Sequence, residues 1–497
     1  MRTASTLLTA GPPETPTVGT ARLGTLIVVG TAAAPRVPRE PAHVARHHRS
    51  GLRGRESPTG HLMRVMPPEG GRMSENVPEH VVVAGAGLIG LATAFELRRR
   101  GTAVTVVDPR PAWGATRAAA GMLAPVAETQ YGQEPLYPLM RASAAEYPRF
   151  VERVTAATGL PTGYRTEETL VVAADAADAR SLSDLASHQI ASGMDVQEIP
   201  VREARSLEPA LAPRLAGAVR IVSDRQVDPR LLASSMVEAL NSAHLETAEG
   251  ATDAGPARWF TSKVDSLLTT SGRIRQVTGV RLDSGEQITA DAVVLATGLT
   301  ASTVGGLPQD LDLRLRPVFG DILRLRVPES VLASGEEHLL SRTVRAQVLG
   351  RPVYVVPRAD HTLVLGATSR EDGRESVLAG GVHQLLRDAR TVVPAIDDCD
   401  VLEMMARARP GTPDDLPYLG RTSVHGLVVS TGHFRHGILL TPVASRLAAE
   451  LVTGVLDPGV EHGADGEFLA STDPARHSQA DTDTVSLDHP HISGGLA

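Results

Sequence analysis

From residue 80 the hydrophobic pattern sharpens into HVVVAGAGLIGLATAFELRRRGTAVTVVDPR. The β-branched run Val81–Val83 predicts a strand buried on both faces. It runs into Gly85, Gly87 and Gly90, spaced G-x-G-x-x-G. An apolar helix is expected to about Arg100, where Gly101 stops it, and a second strand covers 103–107 and ends at Asp108. Further along, ADAVVLATG (290–298) reads as another buried strand. Val264 falls in a strand ahead of GVRLDSGEQITA, a hairpin turning at Asp283, Ser284 and Gly285. LRLRPVFGDILRLR and RPVYVVPRADHTLVLGAT add apolar strand patterns separated by turns.

These elements predict an α/β protein with a Rossmann-like dinucleotide-binding domain that is discontinuous in sequence, made from 79–165, 220–312 and 406–457. The intervening 166–219 and 313–405 are expected to form a second, α+β domain on a mixed or antiparallel sheet. The ends have other compositions. Residues 1–72 hold ten Arg and four Glu, with no Asp or Lys and no sustained periodicity. Residues 1–78 are therefore expected to be a disordered or mis-assigned extension, with Met73 as the natural start. Residues 458–497, rich in Asp, His, Ser and Gly, are expected to be a solvated, disordered tail.

The glycine pattern has a physical purpose. The first glycine allows a tight turn, the second lets backbone approach a pyrophosphate, and the third lets helix and strand pack closely. Leu88 and Ile89 begin the helix, whose free N–H groups favour an anion. Asp108, with Pro109 beside it, suits ribose hydroxyls. The motif alone leaves FAD and NAD open. After Asp108 the small residues Ala115, Thr116, Ala120 and Gly121 lead to Met122, a stretch that can lie against a flat ring or simply start a helix.

Near the far end, STGHFRHGILLTP (430–442) reads as a turn after a strand that opens the last helix of the cofactor domain. His433, Phe434, Arg435 and His436 precede Gly437, Ile438 and Leu439, whose backbone N–H groups would face a bound ring. Charge and composition narrow the function. A net charge of -8 supplies no basic surplus for phosphates and argues against a nucleic-acid binder. No apolar run reaches the length of a membrane span. A single cysteine, Cys399, fits a reducing compartment, and a cytoplasmic location is expected.

In this order and at these spacings, GAGLIG, RAAAGMLAPVAE, YVVPRADHTLVLGAT, RPGTPDDLPYLG and GHFRHGILLTP closely resemble the FAD-dependent glycine oxidases of thiamine biosynthesis, within the D-amino-acid oxidase superfamily. The resemblance covers 79–457. It implies FAD, a small amino-acid substrate and molecular oxygen. It implies hydride transfer from Cα to flavin and an imine that hydrolyses to glyoxylate and ammonia, with hydrogen peroxide as the other product. It places substrate binding on Arg409, Tyr354 and Arg435, where a guanidinium can clamp a carboxylate. It calls for no general base and no metal. It further implies a possible handover to a thiazole synthase and a homo-oligomer, a tetramer among relatives. Cys399 lies too early for a covalent flavin link, so FAD is expected to be non-covalent. The competing readings are a D-amino-acid oxidase or dehydrogenase with a larger substrate, a flavoprotein of tRNA modification, and an NAD-dependent dehydrogenase.

Overall fold

The computed structural model describes residues 77–248, 250–456 and 462–478. All belong to the unit Met73–Ala497; the expected N-terminal extension, apart from its last two residues, lies outside the described residues.

Val81, Val82 and Val83 are fully buried, as the β-branched run predicts. They sit in His80–Ala84, inside a six-stranded sheet ordered Tyr418–Arg421, Leu427–Thr431, Ala292–Leu295, His80–Ala84, Ala103–Val107, Arg258–Phe260. Only the pair Tyr418–Arg421 and Leu427–Thr431 is antiparallel. Burial on both faces has a simple cause. Val81 and Val83 meet a layer that includes helices Leu88–Arg99, Tyr137–Thr158, Pro229–Asn241 and Thr441–Val452. Val82 faces Leu267 and Val280 of the three-stranded antiparallel sheet Val264–Thr269, Val277–Leu282, Gln287–Thr289. The predicted hairpin turn is there, with Gly285 at φ +87°.

The second domain is an eight-stranded mixed sheet. Its order is Asp400–Gly411, Arg316–Arg326, Thr362–Gly366, Arg351–Pro357, Thr343–Val348, Thr169–Ala173, Gly217–Ile221, Gln197–Glu198. Thr343–Val348 and Thr169–Ala173 are its parallel pair. One face packs Leu323, Val344, Val355 and Leu365 against helix Ala379–Val392. The other presents Ile322, Tyr354, Val364 and Met405 to Ala118 and Ala120 of the cofactor domain.

Two sequence expectations need correction. The boundary placed at 405/406 falls inside Asp400–Gly411, which pairs with Arg316–Arg326 from Arg326↔Asp400 to Arg316↔Gly411. Pairing that is continuous from Arg324↔Glu403 to Arg316↔Gly411 keeps residues 406–411 in the second domain, because leaving it would strand their backbone groups. The boundary at 219/220 likewise cuts Gly217–Ile221.

The tail is the other correction. Residues 462–478 are folded, with helix Gly463–Ser471 covering the edge strand Tyr418–Arg421. Thr472 accepts from Leu419 N–H at 2.9 Å and returns its hydroxyl to the Leu419 carbonyl at 3.0 Å. Tyr418 Oη lies 2.7 Å from His477 Nδ1, and Phe468 is buried. Polar composition concealed this, because pairing an exposed strand edge needs backbone rather than apolar side chains. Residues 457–461 and 479–497 lie outside the described residues.

Phe468→Ala should therefore cost about 3 kcal/mol in denaturant unfolding, as for a core aromatic. A change within about 0.5 kcal/mol, typical of a solvated position, would contradict the docked helix.

Candidate active site

A cavity of about 680 Å³ runs between the two domains, from the glycine turn to the floor of the eight-stranded sheet. Gly85 has φ +100°, and a Cβ there would lie 2.4 Å from the Ala296 carbonyl oxygen, so only glycine fits. A Cβ on Gly87 would meet only Thr116 Oγ1, at 3.7 Å, and would project where a phosphate must approach. Gly90 does not border the cavity. Its Cβ would sit 2.0 Å from the Gly85 carbonyl oxygen, so its part is helix–turn packing.

Asp108 borders the cavity and is aimed by backbone. Its Oδ2 accepts Ala86 N–H at 2.7 Å and its Oδ1 accepts Arg110 N–H at 2.7 Å. Pro109, Leu88, Ile89 and Val264 join it on the wall. Thr116 Oγ1 accepts Leu88 N–H at 3.0 Å, tying the helix start to the small-residue loop. That loop passes through the short helix Ala115–Ala118 and then extends through Ala120 and Gly121 to Met122. Arg358, 4 % exposed, fixes it from the second domain by donating to Ala120 O, to Val227 O at 3.2 Å and to Gln226 Oε1 at 2.8 Å.

The 433–439 segment is a 3-10 turn, Phe434–His436, followed by further turn; the helix begins only at Thr441, and Gly463–Ser471 comes after it. The stretch 430–442 thus follows a strand and leads into the helix Thr441–Val452, with Pro442 in that helix's first turn. The backbone is still held for binding. Tyr147 Oη donates to Ile438 O at 3.1 Å and Ser143 Oγ to Leu439 O at 2.7 Å. A trans peptide turns its N–H away from its carbonyl, so with Ile438 O held from behind, Leu439 N–H is directed away from helix Tyr137–Thr158. Among the described residues no acceptor takes the N–H of Ile438 or Leu439, and both residues border the cavity.

At the other end, the sheet floor carries Arg409, Tyr354 and Arg345. Gly320 and Gly366 leave room for them. A Cβ on Gly320 would stand 2.5 Å from Arg409 Nη1, and one on Gly366 2.4 Å from Tyr354 Oη. Arg409 lies close enough to Tyr354 for the two to interact electrostatically, and no carboxylate pairs with it among the described residues. Burial pulls its pKa down, and Arg435 adds to this while Tyr354 opposes. Burial raises the Tyr354 phenol, so it stays protonated and can donate. Arg435 Nη2 meets Glu128 Oε2 at 3.1 Å; Glu128 Oε1 meets Arg345. Asp224, fully buried with a carboxyl pushed up to about 7 by burial, accepts Val126 and Ala127 N–H at 3.4 and 3.3 Å and so sets the turn that carries Glu128.

The cavity thus brings together every predicted site residue except Gly90. Sequence reasoning missed Glu128, Arg345, Trp113, Gly320 and the segment Thr297–Thr303 after the strand Ala292–Leu295. Glu128 closes the motif RAAAGMLAPVAE, and Arg345 sits on the polar phase of TVRAQV, where Val344, Ala346 and Val348 are buried. Trp113 packs under the Arg110 guanidinium, 3.1 Å from the ring centroid.

His433 and His436 are buried and neutral: burial lowers His433 to about 4 and His436 to about 3, helped for His436 by Arg435 and Arg345. Folded-state values below the ordinary 6.5 mean that their contribution to stability is complete above pH 6.5 and is lost as pH falls toward 3. FAD-loaded protein should therefore lose stability between pH 7.5 and 5 in urea unfolding, and His436→Asn should flatten that slope. An unchanged slope in the variant would show that His436 is not the group concerned.

The family model for FAD dependent oxidoreductases matches residues 80–451, and the model for pyridine nucleotide-disulphide oxidoreductases matches 27–130. The chain is 34% identical over 377 residues to glycine oxidase of Geobacillus kaustophilus, covering 75% of this chain and 92% of that one. The crystal structure of that organism's glycine oxidase superposes with a TM-score of 0.67 at 32% identity, covering 80% and 99% of the two chains. It is 33% identical over 398 residues to the bifunctional protein ThiO/ThiG of Trichormus variabilis, with 79% of this chain covered; it spans only 56% of that relative's length. The residues fit the cofactor on structural grounds: a glycine cradle that a Cβ would fill, a backbone-held acid and free N–H groups facing one cavity. The chain belongs to the FAD-dependent oxidoreductase family, among relatives that include the glycine oxidases.

Proposed function

We propose that this chain oxidises the Cα–N bond of glycine and comparably small amino acids, passing the electrons to oxygen and yielding glyoxylate, ammonia and hydrogen peroxide. The observation that carries this is the Arg409 guanidinium, buried without a carboxylate partner over Gly320 and open toward the cofactor cavity. A buried cation without a partner is costly, and a substrate carboxylate supplies the missing charge. Arg409 accepts that carboxylate in a two-point clamp. Tyr354, kept neutral by burial beside Arg409, donates its own proton to a carboxylate oxygen.

Bound FAD would supply the two-electron acceptor, and the Gly85–Gly87 turn, Asp108 and the N–H groups of Ile438 and Leu439 would hold it. The chain's own residues prepare the amine. Arg345, Arg409 and Arg435 face a single carboxylate, Glu128, at this end of the cavity. That surplus disfavours an ammonium group, so the substrate sheds its proton on binding and no side-chain base is required. His433 and His436, neutral and buried, need not serve as one. Cys399 does not border the cavity and burial raises its thiol to about 11, which supports non-covalent FAD.

The ThiO/ThiG relatives support a handover of the product to a thiazole synthase. The homo-oligomer and the cytoplasmic location belong to the same proposal; no helix among the described residues is long and apolar enough to cross a membrane.

A peroxide-coupled assay across glycine, sarcosine, D-alanine and D-proline should favour glycine, and a strong preference for D-alanine or D-proline would overturn the reading. Arg409→Ala should raise KM for glycine about 100-fold while the flavin spectrum is kept, since losing one partner of a buried charge pair costs about 3 kcal/mol. Loss of FAD with KM unaltered would remove Arg409 from the substrate site. Gly320→Ala should act in the same direction with FAD retained, because its Cβ would occupy the guanidinium's place.

A further inference from the structure

The segment 472–478 lies beyond residue 451, where the match to the family ends. It is nevertheless built against the turn that follows the substrate arginine. The strand carrying Arg409 ends at Gly411, and residues 412–417 lead from it into Tyr418–Arg421. Asp415 in that turn has φ +59°, a left-handed conformation that a residue other than glycine keeps only where its surroundings hold it.

The inner side of the turn touches the walls of the chamber that Arg345, Tyr354, Arg409 and Arg435 border. A Cβ on Gly432 would lie 2.6 Å from Thr412 Cγ2, so the turn sits directly against the start of the segment that carries Phe434 and Arg435. Thr412 O accepts Arg316 Nε at 3.2 Å and Asp415 Oδ1 accepts Arg316 Nη2 at 2.9 Å. These bonds hold the Arg316 guanidinium 5.3 Å from the centre of the Phe434 ring. Asp415 Oδ2 accepts Gln133 Nε2 at 2.8 Å, which ties in the stretch after Glu128. Phe434, Arg435 and Glu128 all border the cavity.

Arg476 grips the same turn from outside. Its guanidinium forks onto Asp414, Nε to Oδ2 at 2.8 Å and Nη2 to Oδ1 at 2.9 Å. Nη2 also donates to Leu416 O at 2.8 Å, and Nη1 to Pro417 O at 3.2 Å. Leu416 O is the carbonyl that takes Thr412 Oγ1 at 2.8 Å, so it is held from both sides. The guanidinium lies 4.2 Å from the Tyr418 ring centroid, and its side chain is 14 % exposed. A rigid planar fork spread over three residues fixes backbone as well as charge. Arg476 itself does not border the cavity.

We propose that Arg476 is a positioning residue for substrate binding: by clamping the turn 412–417 from outside, it holds the Phe434 and Arg435 side of the chamber against the strand that carries Arg409. This deepens the amine-oxidation reading and rests on it. In the FAD-loaded full chain, Arg476→Met should raise KM for glycine about tenfold and change kcat less than about threefold, because the binding groups shift while the bound ring stays. The dissociation constant of acetate, a carboxylate without the amine, should rise by a similar factor when read from the flavin absorbance. Arg476→Lys should recover part of both losses, since lysine keeps the charge and lacks the fork. Asp414→Ala should reproduce the loss, and the double variant should lose no more than either single one. A lowered unfolding temperature with KM and the acetate constant unchanged would make Arg476 a stabilising residue only and overturn the proposal. A double variant whose loss is the product of the two single losses overturns it as well. If the unaltered enzyme leaves glycine unoxidised yet binds acetate more tightly than Arg476→Met does, the oxidation reading falls and the clamp stands. An enzyme that neither oxidises glycine nor binds acetate removes both.

Discussion

Three guanidiniums and one carboxylate share one end of the interdomain cavity, and the rest of the structure is arranged to tolerate that imbalance. Burial disfavours each cation, and the neighbours add repulsion: Arg345 is lowered to about 9 by desolvation and by Arg435. A sheet can hold such a group only if its backbone bonds are complete and its floor is flat. The ladder between Arg316–Arg326 and Asp400–Gly411 provides the first condition, and Gly320 and Gly366 provide the second. An unpaired buried cation is costly, and an anion that entered would offset that cost.

The cofactor end is built differently, from backbone groups and one acid held in place by backbone. Gly85 brings the turn against Ala296, Asp108 is aimed by two backbone N–H groups, and the carbonyls of Ile438 and Leu439 are occupied by Tyr147 and Ser143 from a separate helix. Each device fixes backbone orientation before a ligand arrives, which reduces the ordering left to binding. Arg358 joins the two ends, since it grows from the second domain and holds the carbonyl of Ala120 in the cofactor loop. A shift of one domain against the other would expose this buried guanidinium's hydrogen-bond partners. The relative position of the cofactor loop and the arginine-bearing sheet is thereby tied to a core interaction.

Glu128 shows how little local sequence says about such a site. It lies on a turn set by buried Asp224, 96 residues away in sequence, and it meets one arginine from each domain. Neither a period nor a motif spacing encodes that meeting. The folded segment 462–478 makes the same point for stability. Its composition is that of a solvated tail, yet it completes an edge strand through the backbone of Thr472 and buries Phe468.

Local sequence determined the features that depend on short-range geometry. The valine run gave a doubly covered strand, the spaced glycines gave the tight turn and close packing, and Asp108 ended its strand beside that turn. Resemblance of motifs singled out Arg409, Tyr354 and Arg435, which all border one cavity. Tertiary structure alone decided which strand residues 406–411 belong to, where the helix after the 433–439 turn begins, and that Arg345 and Glu128 join the chamber. The reason is physical: turns and periodicities are settled by neighbours in the chain, whereas a buried charge is settled by whichever distant groups the packed sheets bring within a few ångströms.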